Sequence, residues 1–202
     1  MISVVTACSV WLWVNIPECV LSMHENVRAN GGKLHVLAES ATVCTDLNRH
    51  GIPCVTSHSR LFSRDIFDSL MKDRWMFMRT FIERRQSVVY MDVDMRLVTS
   101  IKLFAISATG VDAAFGAHSN NGEVNNFTPA FIYFNPTDRA LNFLNRVNEK
   151  IHINEIGRLK GPAQQDFLHD EILSAFEGTE VVQRQTRQPR LIRKFRHEGS
   201  TI

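Results

Sequence analysis

Asp92 and Asp94 stand one residue apart, directly after the apolar run Val88-Val89-Tyr90-Met91. Carboxylates are seldom set against a buried strand unless they are paired or hold a cation. Two like charges this close raise each other's pKa, and a divalent ion with oxygen ligands removes that cost. Mg2+ and Mn2+ typically bridge such carboxylates to substrate phosphates. The chemistry within reach is stabilisation of a departing nucleoside diphosphate, whose β-phosphate oxygens gain charge that a metal ion offsets as Lewis acid. Asp94 is expected to bind the ion directly, and Asp92 to bind it or to accept from ribose hydroxyls. His197, when neutral, suits Mn2+ as a third ligand, and Arg74 or Lys194 would balance the remaining phosphate charge. The opposing reading is a surface turn whose acids face solvent or pair with Arg96.

Other polar residues have simpler alternatives. Asn125, Asn126 and Thr128 suit sugar hydroxyls, yet asparagine-rich stretches are usually turns. Asp112, next to a strand, is read either as a sugar contact or as a cap or ion-pair partner. Trp11 and Trp13 are expected in the core, with stacking on a sugar face as the alternative. The stretch 184–197, RQTRQPRLIRKFRH, is rich in Arg and Lys and has no acid, which suits an anionic ligand or a solvated basic edge.

These residues need a frame. The chain has 202 residues, 44% hydrophobic and 22% charged, enough for one domain with a sizeable core. A net charge of +2 gives no global field for nucleic acid. Strand and helix patterns alternate, which predicts an α/β layered domain with a largely parallel sheet. Strands are expected at 2–8, 33–39, 53–58, 88–91, 111–118 and 130–136, and in the stretch TEVV after Gly178. One helix is expected through VNIPECVLSMHENV, another at TDLNRHG, and a long one over 63–86 with Ser63 as N-cap and Arg84-Arg85 in its last turn. The polar SNNGEVNNFTP stretch is expected to be a loop. Further helices are predicted over 137–151, capped by Thr137, and over 161–178, with Pro162 at its start. Absence of repeats and linkers makes 1–202 a single domain in this reading.

The four cysteines, Cys8, Cys19, Cys44 and Cys54, have no metal-type spacing, so buried free thiols in a reducing compartment are expected. No run nears the ~20 apolar residues that span a bilayer. The N-terminus lacks the basic region of a signal peptide. A cytoplasmic protein, host cytoplasm if viral, follows as the expectation.

At this point a family resemblance carries further. VVYMDVDMRLV resembles the D-x-D segment of nucleotide-sugar glycosyltransferases of the GT-A fold. That resemblance implies a three-layer α/β/α sandwich with a mostly parallel central sheet, a Mn2+ or Mg2+ cofactor, a UDP-sugar donor and a glycan or glycoprotein acceptor. SVVTAC resembles the first strand of these enzymes, whose end, here Thr6, Ala7 and Cys8, cradles the nucleoside. Arg74 falls where the family often sets a basic residue near the nucleotide. NNFTPAFIYFNPTDRALNFLNRV resembles the segment whose polar turn, here with Asn126 and Thr128, faces the donor sugar, and Asp112 would approach the same sugar. FRHEGS resembles the C-terminal H-x-x-G segment, which implies His197 as metal ligand. The chain is also similar to small glycosyltransferase domains of large algal viruses.

GPAQQDFLHDEIL resembles the family's D-Q-x-x-L-N helix start, with Gln165 on its glutamine. Gln164 stands where the family has Asp, and His169 where it has Asn. Gln164 cannot act as a carboxylate nucleophile or base, so either Asp166 takes that task or no protein nucleophile is used. Pro129-Ala130 replaces the family's glycine before the donor-sugar strand. Three rivals use similar residues. A haloacid-dehalogenase-type phosphohydrolase wants Thr or Val where Arg96 stands. A nucleotidyltransferase wants a Gly-rich basic loop after the first strand. A non-catalytic nucleotide- or glycan-binding module needs no nucleophile at all.

Overall fold

The protein is described by a computed structural model over residues 2–57, 66–108, 110–120, 123–152, 172 and 192–194. The chain runs β1 (Ile2–Cys8), α1 (Val10–Asn15), α2 (Pro17–Ala29), β2 (Gly32–Ala38), α3 (Ala41–Arg49), β3 (Cys54–Thr56), α4 (Ile66–Glu83), β4 (Val88–Met91) and α5 (Ile101–Ser107). It continues through β5 (Ala113–Asn120), β6 (Glu123–Phe134), α6 (Asp138–His152) and β7 (Ile192–Lys194). Seven strands form one sheet in the order β3-β2-β1-β4-β6-β5-β7. β1, β2, β3 and β4 pair in parallel, and β6 turns back between β4 and β5, so five of the seven strands share one direction.

Helices cover both faces, which is why the parallel strands read as continuous apolar runs. Val20, Met23 and Val27 of α2, Val43 and Leu47 of α3 and Ile101 of α5 pack on Val4, Val36, Val89 and Met91. On the other face, Trp75, Met78 and Phe81 of α4 and Phe143 and Val147 of α6 pack on Val5, Val88, Tyr90 and Phe115. Strand alternation therefore splits β4 cleanly, Val88 and Tyr90 to the α4 side, Val89 and Met91 to the α2 side. Three layers result, as expected.

Local chemistry explains the boundaries. Ser9 caps α1 by accepting from Leu12 N at 3.1 Å, and Ser40 caps α3 by accepting from Val43 N at 3.3 Å. Thr137 caps α6, its hydroxyl accepting from Ala140 N at 3.2 Å, as the sequence predicted. Where α4 ends, Gln86 N donates to Phe81 O at 3.0 Å and Arg85 sits at φ 56°, a left-handed stop usually given to glycine.

Several expectations are corrected. The first helix is two helices, broken at Ile16, because Pro17 has no N–H to continue the ladder and starts α2 instead. α1 fully buries none of its residues: Trp11 is 64% exposed and outside the core, while Trp13 is half-buried and packs against the core from its edge. Of the polar stretch expected as a loop, Ser119 and Asn120 belong to β5 and the residues from Glu123 onward to β6, which pair antiparallel. α5 was not anticipated. Cys44 and Cys54 form a disulfide across a Cα separation of 5.3 Å, leaving Cys8 and Cys19 free. Spacing in sequence hid a pairing that the α3-to-β3 turn creates in space. The predicted N-cap Ser63, the stretch TEVV and the helix over 161–178 lie outside the described residues, except that Ile172 is helical and buried. Among the described residues, no helix is long and apolar enough to cross a membrane.

Candidate nucleotide and metal site

Ligands of open α/β sheets bind beyond the carboxyl ends of the strands. β1 and β4 are central neighbours, with Val5 opposite Tyr90, so Ala7 and Asp92 reach that edge side by side. Asp92 is held there by its backbone, whose N–H donates to Ala130 O at 2.9 Å. It then opens a turn, with Met95 N donating to Asp92 O at 2.9 Å. A turn thus presents the two acids, with Asp92 half-buried and Asp94 exposed. Arg96 donates to Ser22 Oγ at 2.8 Å instead of pairing with either acid.

Behind Asp92 lies a cluster that the sequence had shown only as an apolar run. The Tyr90 hydroxyl donates to Asp92 Oδ1 at 2.9 Å. The Arg74 guanidinium stacks over the Tyr90 ring at 4.9 Å and over Trp75 at 5.2 Å. Arg74 is only 5% exposed, and Tyr90 1%. A buried cation is costly unless an anion or ring face answers it, and here both Tyr90 and Asp92 do. Burial pushes the Asp92 carboxyl above its usual value; the Tyr90 hydrogen bond and Arg74 pull it back, and Asp94 adds to the rise. Burial also pushes the Tyr90 phenol up to about 12, so it stays a donor at neutral pH. The turn of α4 that delivers Arg74 is pinned by the adjacent Asp73, which accepts from the buried Ser57 hydroxyl at the end of β3.

The end of β1 is less open than expected. Thr6 and Cys8 are buried toward the α2 face, so their side chains are shut off and only Ala7 is partly accessible, on the Tyr90 side. Burial, reinforced by Glu39, pushes the Cys8 thiol up to about 12. Glu39, unremarked in the sequence, accepts from Val10 N at 2.7 Å and so ties the end of β2 to the start of α1.

The β5–β6 pair extends past the same edge of the sheet. Thr128 is opposite Gly116, and Asn126 opposite His118, beyond the level where Asp92 meets Ala130. Pro129, Ala130 and Phe131 have no partner on β5 and form a bulge, the position where a strand tolerates proline. A Cβ on Gly116 would lie 2.8 Å from Thr128 Cγ2, so any larger residue there would force the Thr128 side chain or the strand pairing to shift.

Asp112 is not at this edge. It precedes Ala113, which is level with Val88, so it lies at the amino end of the sheet, roughly 16 Å along the strands from Asp92. It faces Arg139 at 3.7 Å, the ion-pair alternative rather than a sugar contact. Lys194 is opposite Ala114, level with Val89, and β7 runs away from the Asp92 edge. Gln164, Gln165, Asp166 and His197 lie outside the described residues. Among the described residues, no three His, Cys, Asp or Glu side chains gather as a metal cage. Two carboxylates nevertheless fit Mn2+ or Mg2+, which commonly take one or two protein carboxylates and complete their shell with phosphate and water. Burial is the main cause of the raised Asp92 pKa and Asp94 adds to it, and a cation between the two carboxylates would favour their charged forms.

No protein-family model matches this chain, and no curated protein matches it. Solved structures do. The glycosyltransferase GlyE of Streptococcus pneumoniae TIGR4 superposes with a TM-score of 0.51 at 13% identity, over 87% of this chain and 43% of that one. A glycosyltransferase involved in glycosylation of the major capsid of PBCV-1 gives 0.53 at 12% identity, over 88% of this chain and 78% of the other. An active-site variant of LgtC gives 0.50 at 15% identity, over 88% and 71%. This chain thus spans less than half of GlyE. What it shares with these proteins is the GT-A architecture.

Proposed function

We propose that this chain is a metal-dependent glycosyltransferase domain that uses a nucleoside-diphosphate sugar, UDP-linked, and a glycan or glycoprotein acceptor. The observation that carries the reading is the Arg74–Tyr90–Asp92 cluster at the carboxyl end of the two central strands, with Asp94 exposed beside it. The GT-A architecture supports it, because that fold is shared with glycosyltransferases of low identity.

Asp92 and Asp94 would hold Mn2+ or Mg2+, and His197 would complete the protein ligands; the ion supplies Lewis-acid stabilisation of the leaving pyrophosphate. Arg74 adds fixed positive charge in a poorly hydrated setting, where it acts more strongly than in water. Ala7 and the backbone beside it flank the nucleoside, and Asn126 and Thr128 on the hairpin face the sugar. Asp166, with Gln164 and Gln165, would act on the sugar carbon or the acceptor hydroxyl. The whole of 1–202 would work as one domain.

The test is a thermal-shift screen of nucleotide sugars with and without Mn2+, since a ligand that binds only the folded state raises its melting temperature. A Mn2+-dependent rise with UDP-sugars, followed by release of UDP on incubation, is expected. No rise with any nucleotide sugar sinks the reading. A rise without UDP release assigns a binding module instead.

A further inference from the structure

We infer that Tyr90 is a positioning residue for the cation site, an inference that rests on the proposed function. The Tyr90 phenol engages Oδ1 of Asp92 at 2.9 Å, and among the described residues Oδ2 has no hydrogen bond, which leaves it as the oxygen available to an ion. A carboxylate at a strand end can rotate about its χ angles, and fixing one oxygen selects one orientation before any ligand arrives. A metal ligand oriented in advance binds without losing that freedom, which is why outer partners of metal ligands often change affinity by about 10- to 100-fold.

The phenol is itself immobile. It lies between the sheet and α4, 1% exposed, with the Arg74 guanidinium across its face at 4.9 Å. Arg74 thereby does two things through one contact: it restrains the ring, and it sets a positive charge behind the carboxylate. A phenylalanine at 90 would fill the same core volume and keep the stacking, so packing alone does not require the hydroxyl. Asp92 follows directly on β4, and the observed hydrogen bond sets its carboxylate on the Tyr90 side of the sheet.

The experiment titrates Mn2+ into wild type and Tyr90→Phe, each with and without UDP, and records melting temperatures alongside. For Tyr90→Phe, half-saturating Mn2+ is expected to rise by about 10- to 100-fold. UDP affinity at saturating Mn2+ is expected to stay within about twofold, and melting temperature within a few degrees, as for loss of one hydrogen bond. A folded Tyr90→Phe protein with wild-type Mn2+ affinity overturns the inference while leaving the glycosyltransferase reading intact. Equal loss of Mn2+ and UDP binding together with a large fall in melting temperature also overturns it, since that is a merely structural role. Wild type that takes up no Mn2+ overturns the functional reading and this inference with it. Should Tyr90→Phe fail to fold, Arg74→Lys is titrated with Mn2+ alone. It keeps the charge but loses the planar stack; weakened Mn2+ binding is expected, and unchanged binding overturns the inference.

Discussion

The two ends of the sheet are built from the same kinds of residue and treat them oppositely. At the amino end, Asn135 closes a polar set on itself. Its Nδ2 donates to Ala108 O at 3.1 Å and to Val111 O, and its Oδ1 accepts from the Tyr133 hydroxyl at 2.6 Å and from Ser87 at 3.3 Å. Its backbone N–H donates to Asp112 O at 2.9 Å. Arg85 there bridges to Asp138 at 2.9 Å and to Pro136 O at 3.3 Å. At the carboxyl end, among the described residues, Tyr90 takes one oxygen of Asp92, Asp94 reaches solvent, and these two acids stand near one buried cation, Arg74. The first set is closed by hydrogen bonds within the fold, while the second presents an exposed carboxylate. Tyrosine appears in both ends with its hydroxyl on a neighbour two residues ahead, which shows that the motif alone does not distinguish the roles.

The sharpest way to break this contrast is Asp92→Asn. Loss of a metal ligand removes several kcal/mol from transition-state stabilisation, so sugar transfer is expected to fall by about 100-fold or more. Stability should move the other way. A carboxyl whose folded pKa is raised binds protons better folded than unfolded, so its contribution is present at low pH and lost as pH rises through the folded value. Asp92→Asn removes that loss, and its melting temperature without metal should exceed that of wild type at pH 7. A lower one would mean that Asp92 is a structural acid like those at the other end.

Asn135→Ala is the mirror experiment. It strands buried donors and acceptors, and chemical denaturation should show a loss of about 1–3 kcal/mol with Mn2+ affinity unchanged. Between the two ends, His35 stacks edge-on against Phe81 and burial, with Lys33 adding to it, lowers its pKa to about 4. With a usual unfolded value near 6.5, its neutral form contributes stability above about pH 6.5 that is lost as pH falls toward 4. His35→Phe should flatten the fall of melting temperature over that window; an unchanged slope would locate acid sensitivity elsewhere. The smallest effect belongs to Asp112→Asn. A partly exposed pair at 3.7 Å is worth less than about 1 kcal/mol, and donor turnover should stay within about twofold. A large loss of turnover would return Asp112 to the sugar site.

Much of this was legible in the sequence for physical reasons. Val88 to Met91 read as a doubly buried strand because helices on both faces leave no polar side, and the acids at its tip stood out against that run. Arg74 was singled out by the resemblance alone, and the fold sets it over Tyr90 and near Asp92. Tyr90 passed unnoticed because in an apolar run a tyrosine looks like core; its place two residues before Asp92 was the available signal. Asp112 misled because a strand pattern does not tell which end of a strand faces the ligand. The disulfide and the hairpin arms were missed because both depend on contacts made only after the chain turns back. Thr6 and Cys8 lie at the carboxyl end of β1 as expected, but alternation turns their side chains inward.

The bulge in β6 separates two stretches of strand pairing. Pro129, Ala130 and Phe131 are uncoupled from β5, while Ala130 still anchors Asp92 from the inner side. The β5–β6 pairing from Gly116 and Thr128 outward is therefore joined to β4 through this unpaired stretch, so a slip of register there leaves the pairing of Val88 to Met91 with Phe131 to Phe134 in place.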